Sequence, residues 1–196
     1  MSSRFTVEIL LRQLDDAWRR LQDWQEGMTQ AEFDWQPSQN IWHLVQKDGG
    51  WTIQYSWVPP QPAPLTTIGW RMAHLATSKA LTLEYAFGER RKKLVDFDLP
   101  IDVVGMVGFL EQEHLALRMR LEALTDSELV TPRFTEWGEE RTTERIITSA
   151  ILHDIEHGAQ IATMRELYRH LAHVPTQAQG MGLIDGKGES HGQKLH

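Results

Sequence analysis

The sequence contains no cysteine. That removes a disulfide framework, a thiolate metal site and any thiol nucleophile carried by the chain, so a metal must be held by His, Asp, Glu or water. Basic residues are also scarce. Lys plus Arg total 20 against 27 Asp plus Glu, a formal net charge of -7, the wrong sign for coating nucleic acid or an anionic membrane. No window approaches the roughly 18 consecutive apolar residues of a membrane helix, and Glu8 and Arg12 interrupt any signal-like apolar core near the N-terminus, so a cytoplasmic protein is expected. Neither a Walker-type nor a dinucleotide glycine loop is present, nor a GxSxG nucleophile elbow, and no internal repeat is visible.

What is present suits one domain: 196 residues, 41% of them hydrophobic, enough for a single core. From Thr6 to about Met28, Val7, Leu10, Leu11, Leu14, Trp18, Leu21 and Trp24 recur every three or four residues, which predicts an amphipathic helix. Thr29-Gln-Ala-Glu32 has capping-box spacing and predicts a short turn ending before Pro37. Between Asn40 and Trp57 the pattern changes to two short strands around an Asp48-Gly49 turn, followed by a proline-rich connection to Pro64. A second long helix starts beyond Thr66 and Thr67 and closes near Gly88. A third is capped by Asp102 and carries the stripe Val103, Val107, Leu110, His114, Leu117, Leu121 and Leu124. After a second capping box at Thr125 and an irregular stretch over Pro132 to Gly138, Thr142 or Thr143 opens a fourth helix reaching Pro175. The fold expected is all-α: a four-helix bundle with long crossovers and a small β-hairpin between helices 1 and 2, spanning residues 1–175. Residues 176–196 read as a flexible Gly-rich tail.

The arrangement with chemical meaning is His153-Asp-Ile-Glu-His157 in the fourth helix. Residues four apart on a helix lie one above the other, so both imidazoles can reach one cation about 2.0 to 2.1 Å away. Ser149, Ala150, Gln160 and Met164 extend the same face. His74, in the second helix, is a third candidate ligand. It shares a charge-free strip with Thr67, Trp70, Thr77, Ser78, Leu81 and Tyr85, with Arg71, Lys79, Glu84 and Glu89 expected to point elsewhere. One His from one helix and a pair from another is how a bundle builds an open three-nitrogen site. The competing reading keeps these rings as solvated or singly hydrogen-bonded histidines. His114 lies within an apolar stripe, as a core histidine or a group facing the ligands or substrate. His43 reads as packing or surface, and His170, His173, His191 and His196 as solvated. The same segment satisfies H-x-x-E-H, which would make Glu156 a general base. Zinc proteases of that kind, however, are larger chains with a further carboxylate ligand downstream.

Thr66-Thr-Ile-Gly-Trp-Arg-Met-Ala-His-Leu75, Leu152-His-Asp-Ile-Glu-His-Gly-Ala-Gln-Ile161 and Met164-Arg-Glu-Leu-Tyr168 resemble the metal-ligand helices of the DinB-like superfamily of small four-helix-bundle metalloproteins. The resemblance covers about residues 5 to 175. It implies His74, His153 and His157 as ligands of a divalent ion, zinc or nickel, with a position open to water or substrate, and Gln160 beside them. Gly158 and Ala159 depart from the larger or basic residues frequent in that family after the last ligand, and Asp154 and Glu156 make the stretch unusually acidic. Members with assigned activities are transferases and an isomerase that use a low-molecular-weight thiol such as mycothiol or bacillithiol. The resemblance therefore implies a small-molecule thiol and an electrophile as partners, and a homodimer.

Two readings compete. In the first, the protein is a thiol-dependent S-transferase or isomerase that borrows its sulfur because it has no cysteine, with Trp70, Tyr85, Trp42 or Trp51 as an apolar wall for the electrophile. In the second, it is a non-catalytic stress-response or binding protein whose metal is structural or absent.

Overall fold

The computed structural model describes residues 4–171 except positions 57 and 59; the proposed tail, His173, His191 and His196 lie outside the described residues. Four long helices carry the fold: α1 (Phe5–Gln25), α3 (Ile68–Phe87), α4 (Val103–Glu122) and α6 (Thr143–Leu171). Two short helices, α2 (Gln30–Asp34) and α5 (Asp126–Leu129), sit in the connections. Among the described residues, none of the helices is long and apolar enough to cross a membrane.

The boundaries follow local chemistry. Helix α1 stops at Gln25, ahead of Gly27 at φ +64. The Thr29 hydroxyl accepts from the Glu32 backbone N–H while the Glu32 carboxylate accepts from Thr29, closing the expected capping box. Thr67 caps α3 through the Trp70 N–H, and Asp102 caps α4 through the Gly105 N–H. The first hairpin pairs β1 (Leu44–Lys47) with β2 (Gly50–Ile53), Lys47 opposite Gly50. Its two-residue turn puts Asp48 at φ 52 and Gly49 at φ 87, the paired positive angles of the turn that matches strand twist.

A second hairpin corrects the sequence reading. Residues Pro132–Phe134 (β3) pair with Glu140–Thr142 (β4), where an irregular stretch is expected. Three-residue strands with a leading proline and mostly charged or polar members are too short to display a period of two. Thr135 bonds to Glu139 across a three-residue tip, Glu136-Trp137-Gly138, with Gly138 at φ +79. A left-handed glycine closing a three-residue loop was the available signal.

Helix α1 packs against α4 and α6, and α3 packs against the same two. The order around the bundle is therefore α1, α4, α3, α6, with α1 diagonal to α3 and α4 diagonal to α6. Diagonal partners cannot be joined by a short turn, which is why the α1–α3 and α4–α6 connections are long and carry one hairpin each.

The core divides into two apolar clusters. One gathers Leu21, Phe33, Ile68, Met72, Leu75, Met106, Leu110 and Ile161; the other gathers Val7, Leu10, Leu14, Leu117, Leu121, Ile147 and Ile151. The turn of each helix between them carries Trp18, Lys79, His114 and Asp154. This is a polar layer: Lys79 is 2% exposed, His114 1% and Asp154 0%. The Lys79 Nζ donates to Asp154 Oδ1, and the His114 ring stacks on Trp18 at 4.1 Å and 11°. Burial pushes the Asp154 carboxyl upward, opposed by the Lys79 charge. Burial, with help from Lys79, drives His114 down to about 3, so this ring is neutral in the folded protein.

A second buried ion pair ties the ends of the elements together. Arg165 donates to Glu32 at 3.0 Å and to the carbonyls of Trp24 and Glu26 at 2.8 Å, which joins α6 to α2 and to the end of α1. Burial works to raise the Glu32 carboxyl, but Arg165 and the Thr29 N–H bring it below its ordinary value.

Two outcomes are expected from the polar layer. Asp154→Ala strands a buried ammonium and should cost about 3 to 5 kcal/mol in urea denaturation, whereas Lys79→Met with Asp154→Leu should recover most of that loss. A single variant as stable as the wild type would mean that water reaches the pair. The ordinary His value of 6.5 applies to the unfolded chain, and the native ring holds out to about 3. The unfolded state therefore binds the extra proton, and stability falls as pH drops through that window. His114→Phe should flatten the slope between about pH 6 and pH 4 by about 1.4 kcal/mol per unit; an unchanged slope would mean that His114 is protonated in the fold.

Candidate metal centre

Helix α3 enters the bundle through a short backbone lock. Trp42 N–H donates to Leu65 O and Thr67 N–H to Trp42 O, both at 2.9 Å. Trp70 follows one turn later and stacks on His74 with centroids 4.9 Å apart at 25°. Its indole N–H donates to Gln54 O at 2.7 Å, so the ring that backs His74 is itself fixed by the first hairpin. His153 and His157 stand one turn apart on α6, opposite His74.

The three rings meet almost at right angles. Centroids of His74 and His153 are 4.8 Å apart at 67°, those of His74 and His157 4.9 Å at 89°, and those of His153 and His157 4.4 Å at 86°. One nitrogen from each lies within 4.8 Å of the others, and the Nε2 atoms of His74 and His153 are 3.0 Å apart. Nitrogens held about 2.0 to 2.1 Å from one ion stand roughly 3.0 to 3.4 Å from each other, so this pair is already at ligand spacing.

The electrostatics favour neutral rings with free lone pairs. Burial, then the charges of His157 and Arg71, lower His74 to about 3; burial, then its two partner histidines and Lys79, lower His153 to about 2. His157 is lowered as well, chiefly by burial. Its Nδ1 lies 2.7 Å from Gln160 Oε1. The tautomer that donates there leaves Nε2 for coordination, the usual way a neighbouring acceptor orients a ligand imidazole. Arg71 Nη1 donates to the same Gln160 oxygen. Three neutral imidazoles without an anionic ligand fit a divalent cation such as zinc.

Arg71 and Lys79 correct the expected charge-free strip. Arg71 reaches Gln160 and lies 3.2 Å from His157 Nδ1, supplying beside the site the positive charge that Gly158 and Ala159 lack. Burial lowers its guanidinium to about 10. Gly158 has a packing reason of its own: a Cβ there would come within 2.2 Å of the Trp24 ring, so a larger residue would push α1 away from α6.

The other candidates separate. Gln160 touches His157 and Trp70 touches His74. Glu156 is exposed and touches none of the three histidines; it acts on His157 only as a nearby charge. His114 belongs to the polar layer and is paired with Trp18. Trp42 packs on Trp70 at 5.9 Å, while Trp51 lines a different pocket, with His43 and Leu44. None of Trp70, Tyr85, Trp42 and Trp51, the residues expected as an apolar wall, lines the cavity beside the histidines. A cavity of about 200 Å³ opens beside His74 and His153, and its aromatic lining is Phe134 and Trp137 from the second hairpin, with Glu136 between them in sequence. Those residues lie in the stretch without periodicity, which is why sequence reasoning passed over them.

The DinB superfamily model matches residues 13–161. This chain belongs to the DinB superfamily. A crystal structure of a conserved protein from Enterococcus faecalis has the same fold, with a TM-score of 0.55 and 15% identity over 87% of this chain and 99% of that one. No curated protein matches the sequence. Membership in the DinB superfamily accords with a bundle whose second and last long helices bring three histidines together.

The arrangement makes a direct test. Protein prepared without an affinity tag and loaded with zinc should retain about one ion per chain after gel filtration. His153→Ala should retain less than a tenth of that by elemental analysis, while His43→Ala stays at the wild-type level. Equal retention by both variants would remove the three-histidine site.

Proposed function

We propose that this protein is a divalent-metal enzyme that joins a low-molecular-weight thiol to a small electrophile. The observation that carries the reading is the meeting of three neutral imidazoles beside a cavity of about 200 Å³ in a chain with no sulfur nucleophile of its own. His74, His153 and His157 would hold the ion, zinc or nickel, and leave coordination positions free for an exogenous ligand. A bound divalent cation supplies acidity there, making a coordinated thiol a thiolate at neutral pH.

The chain's own residues do the rest. Trp70 fixes the plane of the His74 ring, and Gln160 sets the tautomer of His157, itself held by Arg71. Phe134 and Trp137 give the cavity apolar walls that keep water from the sulfur and favour a small apolar or aromatic electrophile.

Metal-loaded protein should consume free thiol in the presence of a chlorinated aromatic or an epoxide, and lose that activity in the metal-free form and in His74→Ala. Bacterial thiols, glutathione and cysteine would be compared by mass spectrometry of the adduct. No turnover with any thiol, together with unfolding on metal removal, would favour a metal that serves structure alone.

A further inference from the structure

The cavity beside the histidines has one carboxyl in its lining, Glu136, at the tip of the second hairpin. Its Oε2 is buried and has no hydrogen-bond partner among the described residues. An unpaired buried carboxyl oxygen is costly in a structural role, because any polar neighbour or water would relieve it. The charged groups around it do not explain it either. From α3, Lys79 also lines the cavity, but its ammonium is engaged by Asp154. From β4, Arg141 donates its Nε at 3.1 Å and its Nη2 at 2.7 Å to Glu139 Oε2. His74 from α3 and His153 from α6 are neutral at this face, and the Tyr55 hydroxyl is a near neighbour whose own proton is held more firmly through burial and the Glu136 charge. Both lining cations are thus committed elsewhere, and Glu136 faces the cavity without a counter-ion.

We propose that Glu136 is the proton carrier of this cavity, taking the S–H proton of a small thiol as its sulfur arrives beside the three histidines and giving that proton to the electrophile's leaving group. The inference rests on the thiol reading above. The step balances without an oxidant. The carboxylate of Glu136 takes the proton and becomes the acid as the thiol becomes a thiolate. The sulfur lone pair forms the C–S bond, the bond to the leaving group breaks with its electron pair, and the leaving group collects the proton from Glu136. Thiol plus electrophile gives thioether plus the protonated leaving group, and Glu136 returns to carboxylate. Burial pushes this carboxyl up to about 7, where an acid–base group exchanges protons most readily near neutral pH. The hairpin supplies a further condition: Glu136 sits on a tight three-residue tip held at Thr135 and Glu139, so its backbone has little freedom to withdraw.

The test counts protons and needs no turnover. Zinc-loaded wild type, Glu136→Gln and Glu136→Ala would each be titrated with 2-mercaptoethanol at about pH 8, where the free thiol is mostly protonated, by calorimetry in HEPES and in Tris. The dependence of the heat on buffer gives the protons released per thiol bound. Wild type should release measurably less than one proton, because the negative charge arriving on sulfur raises the Glu136 carboxyl further and lets it keep part of the proton, and both variants about one. Zinc retention should be the same in all three, since Glu136 is not a ligand. Equal proton release by the three proteins, with thiol binding intact, would overturn the role of Glu136 alone. No thiol binding to any of them would instead overturn the thiol reading, and this inference with it. Loss of zinc in the variants would make Glu136 a ligand rather than a proton carrier.

Discussion

The meeting of the three histidines depends on the buried pair of Lys79 and Asp154. It joins α3 to α6 at the level where the bundle is least apolar, and a charge pair in that setting has few acceptable partners. Apolar packing alone tolerates small slides between helices, because one leucine substitutes for another along the seam. An ammonium and a carboxylate tolerate none, since each displaced charge would be buried without a partner. Asp154 adjoins His153 in the chain, and Lys79 follows His74 by little more than one turn of α3. Fixing the pair fixes the axial register of the site's two helices.

Around that constraint the site is stiffened from several sides. Trp70 sandwiches His74 from behind and is tied to the first hairpin through Gln54. His157 is oriented by Gln160, which Arg71 holds from the facing helix. Gly158, one residue past the last histidine, lets the Trp24 ring lie against α6. Arg165 then closes the far end by gathering Glu32 and the carbonyls of Trp24 and Glu26 at the end of α1. The donors are pre-set and neutral, so binding an ion there asks for little rearrangement.

Topology links the scaffold to the chemistry. Because α1 is diagonal to α3 and α4 to α6, the chain needs two long crossovers, and both are put to use at the site. The first contributes the hairpin whose Gln54 anchors Trp70; the second contributes the hairpin whose Phe134, Glu136 and Trp137 line the cavity. One crossover orients a ligand and the other shapes what the ligand set faces.

Much of this was legible in the sequence because it rests on local chemistry. Helical periodicity, the Thr29, Thr67 and Asp102 caps and the Asp48-Gly49 turn act over a few residues, and the four-residue interval between His153 and His157 places both on one helix face wherever the helix goes. The identity of the metal-ligand candidates came from residue type and spacing of that kind. What only the tertiary structure decided is which separated residues face one another. Lys79 and Asp154 are 75 positions apart, the one expected to point away from His74 and the other only part of an acidic stretch, until burial pairs them. Arg71 turns toward His157 from 86 positions away. Glu136 gains its setting from a hairpin too short to announce itself by alternation. Desolvation and charge pairing depend on the three-dimensional surroundings, not on neighbours in the chain, and those surroundings give these four residues their chemistry.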